Sequence, residues 1–152
     1  MEQKTKIIAL DDKQELKIVR EFDLPVELLF KAYSDQNLFE QWMGTKVIKF
    51  ECKELGYYQF ETFHEGSVVF RAKGTIHEFI PNQRITRTFK MENSELPVQL
   101  EFLGFEELSE DASQLTMHIV FKSVESRNKL MQMPFEYGLN LAHNRLQEIL
   151  KN

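Results

Sequence analysis

The fold is decided by residues 21–44, which read EFDLPVELLFKAYSDQNLFEQWMG. This stretch begins at the end of a run, residues 16–22, whose apolar and polar positions alternate as in a half-buried strand. Pro25 suits the first turn of a helix, because the N–H that proline lacks has no partner there. The pair Ser34-Asp35 breaks this helix and can cap a second one, which ends at Gly44. The stretch therefore predicts one strand followed by two short helices.

Strand-like segments dominate the middle of the chain, and a short turn separates each from the next. Strands joined in this way pair with their neighbours, so the pattern predicts an antiparallel meander. Gly74 falls inside the longest segment, where glycine indicates a bulge or a sharp bend. Residues 7–10 form either part of a frayed end or a short extra strand. The strands predicted after the helix pair are 47–53, 57–63, 68–80, 84–91, 98–106 and 114–121.

The end of the chain has the apolar spacing of a helix that lies on a surface. Pro134 predicts a division into a short lead-in helix and a main helix over about 134–150. Gly138 lies inside the main helix, where glycine costs ~1 kcal/mol relative to alanine. We expect close approach of the sheet or of a bound molecule to offset that cost. The residues expected on the apolar face are Leu130, Met133, Tyr137, Leu141, Leu146 and Ile149.

Together these elements predict an α+β fold in one domain, residues 1–152, with its core over about 15–150. A curved antiparallel sheet of six or seven strands wraps around a long C-terminal helix, and two short helices lie between the first and second strands. A bent sheet and a straight helix cannot touch along their whole length, so we expect a cavity between them. The 13 phenylalanines, set against one tryptophan and four tyrosines, favour an apolar interior.

Composition argues against several classes of function. The net charge of −5 disfavours contact with nucleic acid phosphates. The single cysteine, Cys52, cannot form an internal disulfide and fits a reducing compartment as a buried, inert thiol. The first residues carry no signal-peptide pattern and no segment is long and apolar enough to span a membrane, so we expect a cytoplasmic protein without membrane insertion.

The sequence contains no recognisable catalytic or cofactor motif. The four histidines are scattered, and no pair has the spacing of metal ligands on a helix. A nucleophile elbow and a glycine-rich phosphate loop are both missing from the sequence. We therefore predict no cofactor, no metal and no catalytic residue, and an enzymatic role is the less favoured one.

An ordered set of short motifs resembles the activator of Hsp90 ATPase homologue 1-like family, over about residues 15–150. This family belongs to the START-like, or birch-pollen-allergen-like, helix-grip superfamily. Three positions depart from the family pattern: Leu55 precedes Gly56 where a glycine is usual, Phe89 replaces a tryptophan, and Leu139 replaces an aromatic residue. The motifs that carry the resemblance are Phe22-Asp23-Leu24-Pro25, Tyr33-Ser34-Asp35, Leu38–Trp42, Leu55-Gly56, Gly74-x-Ile76-x-Glu78-x-Ile80-Pro81, Arg84-Ile85, Thr88-Phe89, Leu115-Thr116, Gly138 and Asn144-Arg145-Leu146.

The resemblance implies a helix-grip fold with a ligand cavity, plugged at one end by the two small helices. Members that stimulate the chaperone ATPase carry an additional N-terminal domain. We expect no room for that domain here, so the resemblance does not by itself imply this activity.

Alternate strand positions and the facing helix supply the candidate lining of the cavity, although each candidate could equally be ordinary core. Arg87 shares strand parity with Ile85 and Phe89, so it is expected to point inward. A buried guanidinium needs a partner, for which Glu61, Glu78 and Glu101 are the candidates. Arg87 is then either an anchor for a ligand carboxylate or polar head, or part of a structural ion pair. The candidate lining residues are Trp42, Phe60, Phe70, Ile76, Arg87, Phe89, Phe102, Met117, Met131, Phe135 and Leu139.

Three functions are consistent with this pattern. The first is binding of a small apolar or amphipathic molecule, such as a lipid or polyketide. The second is a cyclase-like or hydrolase-like enzyme, which predicts that polar residues such as Arg87, His118, Glu78 and Asn140 converge. The third is contact with a chaperone, which predicts an exposed apolar patch around Trp42 and Met43.

Overall fold

The computed structural model describes residues 4–151, so three residues at the start and one at the end of the predicted domain lie outside the described residues. Within this range the chain forms eight strands and four helices. The strands are β1 (Lys6–Ile8), β2 (Glu15–Phe22), β3 (Lys46–Phe50), β4 (Tyr57–His64), β5 (Ser67–Ile80), β6 (Arg84–Met91), β7 (Gln99–Ser109) and β8 (Ala112–Val120). The helices are α1 (Val26–Ser34), α2 (Gln36–Met43), α3 (Val124–Gln132) and α4 (Phe135–Lys151).

All strands belong to one antiparallel sheet in the order β1-β2-β8-β7-β6-β5-β4-β3. The predicted α+β class and the meander from β3 to β8 are confirmed. The sheet has one strand more than predicted, because residues 6–8 pair with β2 as the short extra strand. The sequence did not indicate that β2 pairs with β8 along its whole length, from Glu15 opposite Val120 to Phe22 opposite Ser113. This pairing joins the start of the chain to the last strand.

Helix α1 lies against β7 and β8 and helix α2 against β3 and α4, and both begin beside the predicted residues Pro25 and Asp35. The Asp35 carboxylate accepts a hydrogen bond from the Leu38 N–H at 3.0 Å and so caps α2. The indole N–H of Trp42 donates to the carbonyl oxygen of Ala32 at 2.7 Å, which ties the two helices together. Trp42 is only 2% exposed. The aromatic face of this helix pair therefore belongs to the core.

The longest strand, β5, carries the irregularities that Gly74 predicted. Gly74 lies opposite Tyr58 of β4, and the pairing of β5 with β6 shifts by a bulge between Ile76 and Glu78. The Tyr58 hydroxyl donates a hydrogen bond to the carbonyl oxygen of Thr88 in β6 at 2.6 Å. A side chain thus crosses from β4 to β6 over the glycine between them.

The predicted apolar face of the last helix is only partly correct. Leu130 and Leu146 are buried, but Met133, Tyr137 and Leu141 are exposed, Tyr137 to 71%. The expected face continued from α3 into α4, whereas the two helices are separate and meet at an extended residue, Met133. The helical repeat starts afresh at Phe135, so the face of α4 toward the core is rotated relative to the predicted one. That face contains Phe135, Leu139, Ala142, His143, Leu146 and Ile149.

Candidate functional site

The centre of the candidate site is an ion pair on the inner face of the sheet. Arg87 of β6 lies directly opposite Glu101 of β7 in the strand register. Its Nε donates to Glu101 Oε1 at 2.9 Å, and the two side chains are only 12% and 4% exposed. The second carboxylate oxygen, Oε2, accepts a hydrogen bond from the Gln99 amide at 2.7 Å. Arg87 therefore points inward as expected, and of the three candidate partners it is Glu101 that pairs with it.

Aromatic rings and one thiol surround the guanidinium of Arg87. Its central carbon lies 5.3 Å from the centroid of the Tyr58 ring, a cation–π distance. Burial raises the pKa of the Tyr58 and Tyr33 hydroxyls above the ordinary value, although the charge of Arg87 acts in the opposite direction. Burial likewise raises the pKa of the Cys52 thiol to about 11. All three groups are thus neutral near pH 7, and Arg87 and Glu101 carry the local charge.

Three phenylalanine rings form an apolar wall beside this polar centre. The ring centroids of Phe60 and Phe70 are 5.9 Å apart, those of Phe60 and Phe89 are 6.4 Å apart, and those of Phe70 and Phe89 are 6.3 Å apart. Phe60 is buried, whereas Phe70 and Phe89 are only half-buried, although both lie on the inner face of the sheet. Met91, the next inner position of β6, is also half-buried. This end of the inner face therefore remains partly open.

The helix side of the site shows the same incomplete burial. The structure describes every residue from 135 to 142, and none of these side chains is fully buried. Farther along α4, His143 and Leu146 are completely buried. The second half of α4 thus packs tightly, while its first half contributes only half-buried contacts from Phe135, Leu139 and Ala142. A Cβ at Gly138 would meet no atom within 4 Å. The close approach of the sheet, one of the two explanations we expected for this glycine, is therefore not found.

The predicted lining residues fall into three groups. Trp42, Phe60, Ile76 and Met117 are buried parts of the core. A second group is partly exposed on the inner side, and it comprises Phe70, Arg87, Phe89, Phe135 and Leu139. Phe102 and Met131 are exposed.

Phe102 lies on the outer face of the sheet, and its placement inside the cavity was wrong. It is 41% exposed, and its ring stacks on His118 at a centroid distance of 5.8 Å. The parity of β7 explains the error, because Gln99, Glu101, Leu103 and Phe105 are the buried positions of this strand. An even-numbered residue between them must face outward. Glu101, Leu103 and Phe105 alternate in the sequence, but a glutamate is not expected at a buried position, so this face was not recognised as the inner one.

Met131 and Phe135 line a different space, an open pocket of about 500 Å³ at the start of α4. Its remaining lining comes from Lys4 and Thr5, from Met133, Pro134, Glu136 and Tyr137, and from Asn140. Met131 and Phe135 thus lie together around the first turn of α4 rather than on the sheet.

Sequence reasoning missed a second buried polar group, centred on His143. Its Nδ1 lies 2.7 Å from the Thr5 hydroxyl, and its Nε2 lies 3.2 Å from the Tyr33 hydroxyl. Arg20 donates to Thr5 Oγ1 at 3.4 Å and to Asn140 Oδ1 at 3.3 Å. Burial, with a smaller contribution from the charge of Arg20, lowers the pKa of His143 to about 3. The only signal in the sequence was that His143 follows Leu139 by one helical turn.

The residues proposed for an enzymatic site do not converge. His118 pairs with Glu15 at 3.3 Å, and Glu78 pairs with Arg84 at 2.9 Å, both among exposed groups. Asn140 belongs to the His143 group rather than to the surroundings of Arg87. Among residues 4–151, no three metal-ligating side chains lie close enough together to hold a metal ion. In the same part of the chain, no helix has the length and apolar character needed to cross a membrane.

Solved structures share this fold at low sequence identity. Protein Ms6760 from Mycobacterium smegmatis is 19% identical over 97% of this chain and 96% of its own, with a TM-score of 0.86. A protein from Arthrobacter aurescens is 19% identical over 96% of this chain and 91% of its own, with a TM-score of 0.84. A protein from Staphylococcus epidermidis is 20% identical over 96% of this chain and 93% of its own, with a TM-score of 0.82.

Sequence comparison gives the family directly. No curated protein shows significant similarity to this chain. The model of the family described as activator of Hsp90 ATPase homolog 1-like protein matches residues 23–151, which include both small helices, the meander and the C-terminal helix. Together with the helix-grip architecture, this match shows that the chain belongs to the activator of Hsp90 ATPase homolog 1-like family.

Proposed function

We propose that this protein binds a small, largely apolar molecule between the inner face of the sheet and the first half of α4. One observation carries the proposal: burial is complete at one end of these two layers and incomplete at the other. Phe22 and Leu146 have no exposed surface, whereas Phe70, Phe89 and Leu139 remain partly exposed although they face the interior. A guest molecule that covers this apolar surface gains about 25 cal/mol for each Å² removed from water.

Family membership supports the same proposal, since the helix-grip fold commonly holds hydrophobic ligands. The lining combines three phenylalanine rings with methionine and leucine side chains, which suit an apolar guest such as a lipid or polyketide. Met91 adapts easily to guests of different shape, because its side chain is unbranched and flexible.

Two tryptophan substitutions on α4 test the site. Leu139→Trp places a large ring in the proposed gap, whereas Leu141→Trp adds the same ring at a position that is 43% exposed. Binding of 2-ethylnaphthalene is measured by equilibrium dialysis and by backbone amide shifts. We expect Leu139→Trp to weaken binding at least tenfold and Leu141→Trp to bind like the unchanged protein. Equal effects of both variants, or shifts confined to the outer face around Phe102, would contradict the proposed site.

Contact with a chaperone is a second candidate function, suggested by the family name. The patch expected around Trp42 is absent from the surface because Trp42 is buried. Exposed apolar side chains lie instead along α3, α4 and the residues that join them, at Met131, Met133, Tyr137 and Leu141. Loss of chaperone capture in a Tyr137→Ser variant that still binds 2-ethylnaphthalene would support this function. We further propose a cytoplasmic location, which the single, half-buried Cys52 supports.

A further inference from the structure

We propose that the Arg87 end of this site selects a neutral oxygen acceptor, such as a ketone, ester or hydroxyl group, over both a hydrocarbon and a carboxylate. This inference rests on the proposed function and names the chemical class of its ligand. Two properties of Arg87 support it. Most of its hydrogen-bond donors are unused, and its positive charge is already paired with Glu101.

The Arg87 guanidinium has more hydrogen-bond donors than the described residues satisfy. A guanidinium carries five N–H groups and no acceptor. The Nε–H of Arg87 donates to Glu101, and the four N–H groups on Nη1 and Nη2 have no hydrogen-bond acceptor among residues 4–151. The Tyr58 ring centroid lies 5.3 Å from the guanidinium carbon, and this contact supplies no oxygen acceptor. Since Arg87 is only 12% exposed, a molecule that fills the gap beside it must supply oxygen acceptors or leave buried donors unpaired. A pure hydrocarbon cannot do so.

The charges around Arg87 disfavour an ionised ligand. The positive charge of Arg87 is already neutralised by Glu101 at 2.9 Å, and Gln99 adds no charge. Tyr33, Tyr58 and Cys52 are neutral near pH 7, because burial raises the pKa of each. A ligand carboxylate would therefore leave one uncompensated negative charge in a buried place, close to the carboxylate of Glu101. A neutral carbonyl or hydroxyl oxygen accepts the same hydrogen bonds without adding charge.

The lining agrees with such a ligand in shape and polarity. The Phe60, Phe70 and Phe89 rings supply the apolar wall, and Phe89 is the next inner residue after Arg87 on β6. The oxygen acceptor of the ligand would thus lie at Arg87, and the apolar body of the ligand would lie along the phenylalanine rings. This arrangement, a largely apolar site with a few placed polar groups, is the usual one for small-molecule sites.

Three probes of matched size test the inference on the unchanged protein. They are 2-acetylnaphthalene, 2-ethylnaphthalene and ionised 2-naphthoate, compared at pH 7.5 by equilibrium dialysis. One or two additional hydrogen bonds to a charged donor correspond to roughly tenfold in affinity. We expect the ketone to bind about tenfold more tightly than the ethyl compound and the carboxylate to bind least tightly.

The outcomes separate the two proposals. Equal binding of ketone and ethyl compound overturns the acceptor preference but leaves the apolar site standing. Tightest binding of the carboxylate shows that Arg87 acts as a net positive anchor, which overturns the neutral-ligand inference. Failure of all three probes to bind overturns the proposed function and this inference together.

A double variant assigns the preference to the ion pair. Arg87→Met/Glu101→Met removes both charges, and we expect it to bind the ketone and the ethyl compound with affinities within about twofold of each other. The matched control is Arg84→Met/Glu78→Met, which removes an exposed ion pair at 2.9 Å. The control should retain the full preference. A preference that survives in Arg87→Met/Glu101→Met would show that another group provides the hydrogen bonds.

Discussion

The hydroxyl of Tyr58 lies in the space that a side chain at Gly74 would need. A Cβ at this glycine would be 2.5 Å from the Tyr58 hydroxyl oxygen and closer still to the carbonyl oxygen of Thr88. The same hydroxyl donates to that carbonyl at 2.6 Å. Gly74 therefore permits a hydrogen bond that links β4 to β6 across β5, made by the same tyrosine whose ring contacts the Arg87 guanidinium.

Gly74→Ala should destabilise the protein strongly. The new methyl group would meet a backbone carbonyl, which cannot move as a flexible side chain can, so strand pairing or the Tyr58 contact must give way. We expect a loss of roughly 2–4 kcal/mol in the free energy of unfolding, measured in urea. If Gly74→Ala unfolds at the same urea concentration as the unchanged protein, this close approach is not a requirement of the fold.

Gly138→Ala should have the opposite effect. This glycine lies inside α4, and an added Cβ would meet no atom within 4 Å. Alanine lowers the free energy of a helix interior relative to glycine, so we expect stabilisation by about 0.5–1 kcal/mol in the same urea measurement. A destabilised Gly138→Ala variant would show that the space beside Gly138 is not open in the folded protein.

The sequence predicts most of the fold because its signals are local. Pro25, Asp35 and Gly44 mark helix ends by the chemistry of capping, and the observed helices begin and end beside them. The pairing of β2 with β8 could not be read in this way, since residues so far apart in sequence leave no local pattern. The face of α4 was misplaced for a related reason, because the break at Met133 resets the helical repeat.

The site was harder to predict than the fold. Strand parity placed Arg87 inside correctly, since Ile85 and Phe89 flank it on the same face. Parity failed for Phe102 because the inner face of β7 contains a charged residue, Glu101, and burial of a charge is evident only once its partner is known. The contact between Thr5 and His143 joins the two ends of the chain, and no spacing within the sequence indicates it.

Acid should destabilise the protein through His143. Its pKa is lowered from 6.5 to about 3 in the folded chain, mainly by burial and to a lesser degree by Arg20. Below pH 6.5 the imidazole of His143 therefore binds a proton in the unfolded chain but not in the folded chain. Stability is thus lost as the pH falls from 6.5 toward about 3. The slope approaches about 1.4 kcal/mol per pH unit.

Urea unfolding at pH 7, 6 and 5 measures this dependence. Carboxylates also contribute to acid unfolding, so His143→Gln serves as the control, because an amide can still bridge Thr5 and Tyr33 but does not titrate. The unchanged protein should lose more stability between pH 7 and pH 5 than His143→Gln does. Parallel curves for the two proteins would show that His143 is not held neutral.

Cys52 should react slowly with alkylating reagents. Burial raises the pKa of its thiol to about 11, and the thiol lies 3.9 Å from the Tyr33 carbonyl oxygen. Little thiolate is then present at pH 8, and thiolate is the reacting form. We expect alkylation by iodoacetamide, followed by mass spectrometry, to be at least tenfold slower than that of glutathione. A rate that reaches half its maximum at about pH 8.5 would indicate an ordinary, solvated thiol instead.

Removing one member of the Arg87–Glu101 pair should cost far more stability than removing both. Arg87→Met leaves the carboxylate of Glu101, which is 4% exposed, without its cation, and the expected loss is about 3–5 kcal/mol. Arg87→Met/Glu101→Met leaves no buried charge, and only the Gln99 amide loses its acceptor, so it should lie within about 2 kcal/mol of the unchanged protein. Arg84→Met, at an exposed pair, should change stability by less than about 1 kcal/mol. Urea unfolding of the three variants measures these losses. If Arg87 were solvated, Arg87→Met and Arg87→Met/Glu101→Met would both lower the free energy of unfolding only slightly and by the same amount.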